Sequence, residues 1–271
     1  MIISDNRPIG VFDSGVGGLT VLKELQNLMP YENIIYFGDT ARVPYGGKSA
    51  PVIQRYSQEI LDFLLMQNVK MIVIACNTAS ALALNKLKTL TSLPVVGVID
   101  PGVRAAVKAV KGQKIGVIGT KGTIASFAYQ SRLERLCSKI KVIAQACPLL
   151  VPIVEENMHN TDLARLTIDT YLKDFKTLQV DTLILACTHY PLLKPLINEY
   201  FDKKITLVDS AQETAIEVKE LLAARRLVAD TEKIGTERFF VSDSPDIFRE
   251  IAVKFLGREL AGECLHHSWT D

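Results

Sequence analysis

The stretch TLILACTHYPLL at 182–193 decides the fold, and MIVIACNTAS at 71–80 repeats its pattern far upstream. Each copy is an apolar run that ends in Ala-Cys and is followed by polar residues and a helical pattern. A continuous apolar run of this length is typical of a strand that is buried on both faces of a parallel sheet. Each cysteine therefore falls where a strand ends and a helix begins, which is where open α/β sheets place their ligand sites.

Cys76 and Cys187 occupy matching positions in the two stretches. A thiol at the first turn of a helix lies near the positive end of the helix dipole, which can lower its pKa from about 8.5 to about 3.5–7.5. A single buried cysteine is more often a packing residue, because free cysteine behaves as a small hydrophobic side chain. Since the pattern occurs twice, we interpret the two thiols as a paired acid and base.

The composition is typical of a globular protein with an ample core: of 271 residues, 48% are hydrophobic and 23% are charged. The formal net charge is +1 and there is no long basic or acidic run, so nucleic acid and anionic membranes are not expected as partners. No apolar stretch approaches the ~20 residues that are needed to span a bilayer.

The five cysteines are scattered and none forms a Cys-x-x-Cys pair, which favours a reducing cytoplasm over a disulfide framework or a structural zinc site. Cys137, Cys147 and Cys264 are interpreted as packing residues. Cys264, His266 and His267 lie close together, but their spacing fits no common metal site. We therefore predict no bound metal.

Short apolar runs alternate with helical patterns along the chain, which predicts parallel sheets covered by helices on both sides. One helix is predicted to run from the end of the Cys76 strand to Leu90. A loop is predicted at Pro148–Asn157, and the end of the chain, from Cys264 to Asp271, is predicted to be a frayed tail. Strands are predicted at 9–13, 33–38, 71–75, 94–98, 115–119, 140–144, 182–186, 204–208 and 238–241.

The pattern of the first hundred residues restarts in the middle of the chain. IGVIGTKGTIAS at 115–126 resembles IGVFDSGVGGLT at 9–20, and each opens a unit whose later strand ends in Ala-Cys. Internal repetition of this kind predicts a duplicated architecture. We therefore predict two similar α/β units.

Two glycine-rich stretches resemble nucleotide-binding motifs only in part. GVGG at 15–18 follows a strand, but Thr20 stands at the third glycine position of the dinucleotide fingerprint and Asp13 would repel a pyrophosphate. GKS at 47–49 would need a glycine where Arg42 stands to form a P-loop. Neither stretch therefore predicts a nucleotide cofactor.

Polar residues cluster at the predicted carboxyl ends of the strands and in the loops that follow. They supply hydroxyls, amides and helix N–H groups with few fixed cations, a lining that can hold small carboxylates. Each serine or threonine taken alone is better explained as a helix N-cap than as a ligand-binding residue, and the two roles are compatible at one position. The residues are Asp13, Ser14, Tyr45, Gly46, Asn77, Thr78, Thr120, Thr123, Thr188 and His189.

Four motifs together resemble the glutamate racemases of the aspartate/glutamate racemase family. They are DSGVGGLT at 13–20, YFGDTARVPYG at 36–46, ACNTAS at 75–80 and CTHYPLL at 187–193. The resemblance covers nearly the whole chain. It implies a cofactor-independent enzyme that converts L-glutamate to D-glutamate for peptidoglycan synthesis.

The resemblance also implies roles for individual residues. Cys76 and Cys187 would face opposite sides of the substrate Cα, one as thiolate base and the other as thiol acid. Asp13 would assist Cys76, and His189 with Glu155 would assist Cys187. The carboxylates and ammonium of the substrate would be held by Asp13, Ser14, Tyr45, Gly46, Asn77, Thr78, Thr120, Thr123, Thr188 and His189.

The implied fold has two pseudo-symmetric, open parallel-sheet α/β domains with the active site between them. Residues 1–98 with 210–271 would form the first domain, which carries Cys76, and residues 99–209 would form the second, which carries Cys187. We expect no cofactor, a small-molecule substrate, a homodimer and a cytoplasmic location.

Three other functions are compatible with the residues. The substrate could be aspartate or another acidic amino acid. A cysteine hydrolase could use Cys187 and His189, although it would leave Cys76 without a role. A non-catalytic binding module of the same fold would keep the carboxylate-binding lining.

Overall fold

The computed structural model describes residues 4–230 and 232–269. Within these residues, ten strands form two sheets in which every neighbouring pair of strands is parallel. The strands are β1 (Ile9–Asp13), β2 (Ile34–Gly38), β3 (Met71–Ile74), β4 (Val95–Gly97), β5 (Lys114–Gly119), β6 (Lys141–Ala146), β7 (Thr182–Ala186), β8 (Thr206–Val208), β9 (Glu237–Val241) and β10 (Glu263–His266).

The first sheet has the order β10-β9-β2-β1-β3-β4 and the second has the order β6-β5-β7-β8. The predicted class, an α/β fold with two parallel sheets, is confirmed. The first sheet is built from residues 9–97 and 237–266, and the second from residues 114–208. This composition agrees with the predicted domain bounds of 1–98 with 210–271 and 99–209, which themselves stay a prediction.

Twelve α-helices of the described residues cover the sheets. They are α1 (Leu19–Leu28), α2 (Ala50–Met66), α3 (Asn77–Leu82), α4 (Leu84–Leu90), α5 (Ile99–Ala109), α6 (Lys121–Ala125), α7 (Ala128–Leu136), α8 (Leu150–Glu155), α9 (Asp162–Thr177), α10 (Lys194–Tyr200), α11 (Ala211–Arg225) and α12 (Pro245–Leu256). Within the described residues, no helix is long and apolar enough to cross a bilayer.

The central strand β1 is buried on both faces, as the apolar sequence that precedes its last residue, Asp13, predicts. Successive side chains of a strand point to opposite faces. Val11 accordingly packs in one core cluster, which also contains Leu22 of α1 and Val218 of α11. Phe12 packs in another cluster, with Ile60 of α2 and Leu87 of α4.

Three local predictions are wrong. The helix that was predicted to continue from the Cys76 strand to Leu90 is broken at Ala83 into α3 and α4. The loop predicted at 148–157 contains α8, whose Pro152 lies in the first turn, where a helix tolerates proline.

The predicted tail is ordered from Cys264 onwards, because β10 pairs along β9 and extends the first sheet. Thr270 and Asp271, the last residues of that prediction, lie outside the described residues. Of the three neighbouring residues with metal-binding side chains, Cys264 is buried in β10 and the ring of His267 lies against Phe37 and Phe63, whereas His266 is exposed.

Candidate active site

A cavity of about 410 Å³ lies between the carboxyl ends of the two sheets. Its walls come from the segments that follow β1, β2 and β3 on one side and β5, β6 and β7 on the other. The lining residues are Ser14, Gly15, Val43, Pro44, Tyr45, Gly46, Gly47, Cys76, Asn77, Thr78, Thr120, Lys121, Pro148, Val151, Pro152, Glu155, Cys187, Thr188 and His189.

Cys76 follows β3 and caps the N-terminus of α3, where its Sγ accepts a hydrogen bond from the Ala79 N–H at 3.5 Å. The thiol lies 3.8 Å from the Ser14 hydroxyl, to which it donates. Burial and, after it, the negative charge of Asp13 raise the pKa of Cys76 to about 12, against the effect of the Ala79 N–H. The N-terminus of α3 therefore does not bring the pKa of Cys76 below its ordinary value, because burial outweighs the effect of the helix.

Asp13 ends β1 and is completely buried behind the cavity wall, which it does not line. One of its carboxylate oxygens accepts a hydrogen bond from the Gly15 N–H at 3.0 Å. Burial raises the pKa of Asp13, although the charge of His189 and the N–H groups of Gly15 and Gly18 act in the opposite direction. Perturbed carboxyl groups of this kind are found at functional sites.

Cys187, His189 and Glu155 form a chain of contacts on the other wall of the cavity. Nδ1 of His189 lies 3.9 Å from the Cys187 sulfur, and Nε2 lies 2.9 Å from a carboxylate oxygen of Glu155. Burial alone would lower the pKa of His189, but the hydrogen bonds to Cys187 and Glu155 outweigh it and raise the pKa to about 10. The imidazole is therefore protonated at neutral pH, and both ring N–H groups donate.

Three threonine hydroxyls form a closed ring between the two units. Thr78 lies 2.9 Å from Thr120 and 3.2 Å from Thr123, and Thr120 lies 3.0 Å from Thr123. Thr120 also caps α6, where it accepts a hydrogen bond from the Thr123 N–H, and its role in substrate binding stays a prediction. Thr78 and Thr120 line the cavity, whereas Thr123 is buried behind them.

Asn77 is held in a fixed orientation by its neighbour from the second unit. Its side-chain oxygen accepts a hydrogen bond from the Tyr129 hydroxyl at 2.6 Å, and both side chains are buried. Its amide N–H₂ group is thereby directed away from Tyr129.

Tyr45 and Gly46 reach the cavity from the segment that follows β2. The Tyr45 hydroxyl donates to the buried carboxylate of Asp39. Gly46 lies so close to the second unit that a Cβ there would be 2.6 Å from Cβ of Thr120. This close approach explains why glycine occupies the position.

The structure brings the predicted site residues together, and all except Asp13 and Thr123 line one cavity. Sequence reasoning missed several lining residues, of which Lys121 is the one lysine or arginine in the described lining. It also missed the wall formed by Pro148, Val151 and Pro152, because the helix that carries Glu155 was predicted as a loop. Among the described residues, no group of three or more His, Cys, Asp or Glu side chains could hold a metal ion.

The family model described as Asp/Glu/Hydantoin racemase matches residues 16–218. A glutamate racemase of Geobacter metallireducens is 50% identical over 94% of both chains. The chain belongs to the Asp/Glu/hydantoin racemase family. The family inferred from the four motifs is thereby confirmed, together with its enzyme class, amino-acid racemase.

Solved structures of family members agree with this assignment over nearly the whole length. Glutamate racemase isoform RacE1 from Bacillus anthracis is 42% identical, with a TM-score of 0.92 over 96% of this chain and 97% of that one. Glutamate racemase from Francisella tularensis in complex with D-glutamate is 38% identical, with a TM-score of 0.91 over 98% of both chains. An aspartate racemase of Picrophilus torridus, 19% identical with a TM-score of 0.59, shows the fold alone.

Proposed function

We propose that this protein interconverts L- and D-glutamate by a two-thiol mechanism that uses no cofactor. The observation that carries the proposal is that Cys76 and Cys187 line one cavity from matching strand ends of the two sheets. The names of the relatives support glutamate as the substrate, as does the complex of the Francisella tularensis enzyme with D-glutamate.

The reaction needs a base on one face of the substrate Cα and an acid on the other. One cysteine thiolate removes the α-hydrogen as a proton and leaves its electron pair on the carbon. The thiol of the second cysteine then donates a proton to the opposite face, so that the centre is inverted and the thiol and thiolate have exchanged places. No hydrogen or electron is gained or lost overall. Positioned acid–base groups typically contribute about 10²–10⁴-fold each.

The surroundings of the two thiols suit opposite starting roles. The His189 imidazolium, 3.9 Å from the Cys187 sulfur, stabilises negative charge on that sulfur. Cys76, with its pKa raised to about 12, is held as the thiol. By the family resemblance Cys187 takes the proton of L-glutamate, and Cys76 donates to form D-glutamate. In the reverse direction Asp13, behind Cys76, assists removal of the thiol proton.

The polar lining provides donors for a dicarboxylic amino acid. The ring of threonines, the Ser14 hydroxyl and the Asn77 amide supply neutral donors, and Lys121 at the edge adds a positive charge. Thr188, Tyr45 and Gly46 complete the lining. Donors directed at the carboxylate stabilise the charge that develops there when the α-hydrogen leaves.

We further propose that the D-glutamate is used for peptidoglycan synthesis, that the enzyme is cytoplasmic and that it forms a homodimer. We also propose that the domain bounds inferred from the sequence separate the two catalytic halves. These statements rest on the family resemblance, and the sheet composition supports the domain bounds.

The deciding experiment incubates purified protein with L-glutamate, without added cofactor, and follows the loss of circular dichroism. Racemisation to zero ellipticity is expected. L-aspartate is tested under the same conditions. If aspartate racemises faster than glutamate, aspartate is the substrate and the proposal for glutamate is refuted. Unchanged ellipticity with both amino acids would refute the function and leave a binding module.

The mechanism is tested with Cys76→Ala and Cys187→Ala. Each variant should lose racemisation by at least ~10²–10⁴-fold, since inversion needs both faces. In D₂O, Cys76→Ala should still exchange the α-hydrogen of L-glutamate and Cys187→Ala that of D-glutamate, as followed by loss of the α-proton NMR signal. A Cys76→Ala variant that racemises at nearly the wild-type rate would make Cys76 a packing residue and refute the two-thiol mechanism.

A further inference from the structure

The end of the chain folds back over the loop that supplies Tyr45 and Gly46 to the cavity. After β10, the His267 N–H donates to the Val241 carbonyl at 2.7 Å, which continues the direction of the strand. The His267 ring packs 5.6 Å from the Phe37 ring and 4.5 Å from the Phe63 ring. These contacts bring Trp269, the one tryptophan in the sequence, to the loop that follows β2.

Trp269 makes two polar contacts with this loop, which we define as residues 39–47. Its Nε1–H donates to Oδ1 of Asp39 at 3.1 Å. The guanidinium carbon of Arg42 lies 4.0 Å from the Trp269 ring centre and also 4.0 Å from the Tyr56 ring centre. A guanidinium held against two aromatic rings is a favourable cation–π arrangement.

Asp39 connects these contacts to the active site. It is completely buried and accepts hydrogen bonds from the Tyr45 hydroxyl, from the Arg42 guanidinium and from the Ser242 hydroxyl at 2.8 Å, in addition to Trp269. Four donors from three segments of the chain therefore converge on one carboxylate. Removing the Trp269 donor leaves a buried charged acceptor with fewer partners, which is costly.

The contacts of Trp269 lie outside the cavity, whereas the other end of the loop lies inside it. Neither Trp269, Asp39 nor Arg42 lines the cavity, but Tyr45 and Gly46 do. Gly46 also packs closely on Thr120 of the opposite unit. The position of the loop thus affects both the lining and the fit between the two units.

We propose that Trp269 is a positioning residue for substrate binding, which acts through Asp39 and Arg42 on the loop 39–47. The inference rests on the proposed function, because Tyr45 and Gly46 are among the residues proposed to line the substrate site. It assigns to the end of the chain a part in binding rather than in proton transfer. Loss of Trp269 should therefore act on KM more than on kcat.

The test compares Trp269→Ala and Trp269→Phe with the wild-type protein. Trp269→Ala loses a hydrogen bond to a charged group and a cation–π contact, so KM for glutamate should rise at least about tenfold, with kcat within about threefold. Trp269→Phe keeps an aromatic ring for Arg42, so its KM should lie between those of the wild type and Trp269→Ala. If the alanine variant does not fold, the phenylalanine variant tests the loss of the hydrogen bond to Asp39. His266→Ala, an exposed change three residues away in the same segment, is the matched control and should behave as wild type.

Limited trypsin cleavage supplies a readout that does not depend on activity. Trypsin can cleave the peptide bond after Arg42, which lies within the loop, and the bond after Lys48, which lies next to it. Cleavage there should be about tenfold faster in Trp269→Ala than in wild type or His266→Ala, while cleavage elsewhere is unchanged. Unchanged KM and unchanged cleavage in Trp269→Ala would overturn the inference, as would a loss confined to kcat. A wild-type protein that does not racemise glutamate refutes the proposed function alone, because the cleavage comparison still decides whether Trp269 holds the loop.

Discussion

Replacing Gly17 by alanine should disable the site from across the boundary between the two units. Gly17 lies in the turn after β1, directly against the turn after β7 that carries Thr188 and His189. A Cβ at Gly17 would lie 2.6 Å from both Cε1 and Nδ1 of the His189 ring, and closer still to the Thr188 hydroxyl. Ordinary van der Waals contact begins at 3.4 Å, so the His189 ring must move away by about 0.8 Å and the Thr188 hydroxyl by more.

The side chain that a Cβ at Gly17 would displace is the His189 ring, which contacts Cys187. His189 is buried and is held on its far side by Glu155 at 2.9 Å, so the ring cannot retreat without losing that hydrogen bond. Misplacing a catalytic group by about 1 Å can cost about 10²-fold in rate. We therefore expect kcat/KM of Gly17→Ala to fall about 10²-fold, and equally in both directions, because the two enantiomers have equal free energies.

The assay is circular dichroism with L-glutamate and, separately, with D-glutamate. His266→Ala is the control, because His266 is exposed and does not line the cavity, and it should stay within about threefold of wild type. Thermal unfolding shows whether each variant is folded. A folded Gly17→Ala variant with kcat/KM within about threefold of wild type would refute the reasoning, since the two turns could then separate without cost to the chemistry.

Three further predictions concern charge and cofactors. In the wild-type protein the raised pKa of His189 stabilises the fold below pH 6.5, and this stability is lost as the pH rises from 6.5 to about 10. Glu155→Gln should therefore lower the melting temperature most near pH 6 and least near pH 10, and a difference that grows with pH would contradict this. Lys121→Ala should raise KM for glutamate about two- to fivefold at low ionic strength, an effect that about 0.5 M salt should remove; a salt-independent change would exclude a role of its charge. Exhaustive dialysis against a chelator should leave kcat unchanged, and activity that returns only on addition of a metal would show that the reaction needs one.

The repeated strand ends could be predicted because their information is local. A continuous apolar run followed by Ala-Cys and a polar pair specifies a buried strand, its end and the start of a helix within about ten residues. Cys76 and Cys187 were found in this way, and the structure places both in one cavity. The rule that the parallel strands of one sheet present their carboxyl ends at the same edge predicts a ligand-binding position for each cysteine. That the two sheets share one site was implied by the family resemblance.

Features that depend on distant residues could not be predicted in the same way. The pKa of Cys76 is raised by burial and by Asp13, which comes 63 positions earlier in the chain, and no local pattern reports either effect. Likewise β10 and Trp269 acquire their structure from β9 and from Asp39, a residue 230 positions away. The sequence of the last eight residues alone resembles a frayed end.

The composition of the first sheet has a consequence for how the chain folds during synthesis. The second sheet is contiguous in sequence, from Lys114 to Val208, and all its strands are available once that segment has been made. The first sheet stays incomplete much longer, since β2 pairs with β9, whose Glu237 is aligned with Ile34. Until then the edge of β2 is unpaired, and unpaired strand edges are prone to association with other chains. The newly made protein therefore passes through a state in which one half is complete and the other half presents an open edge.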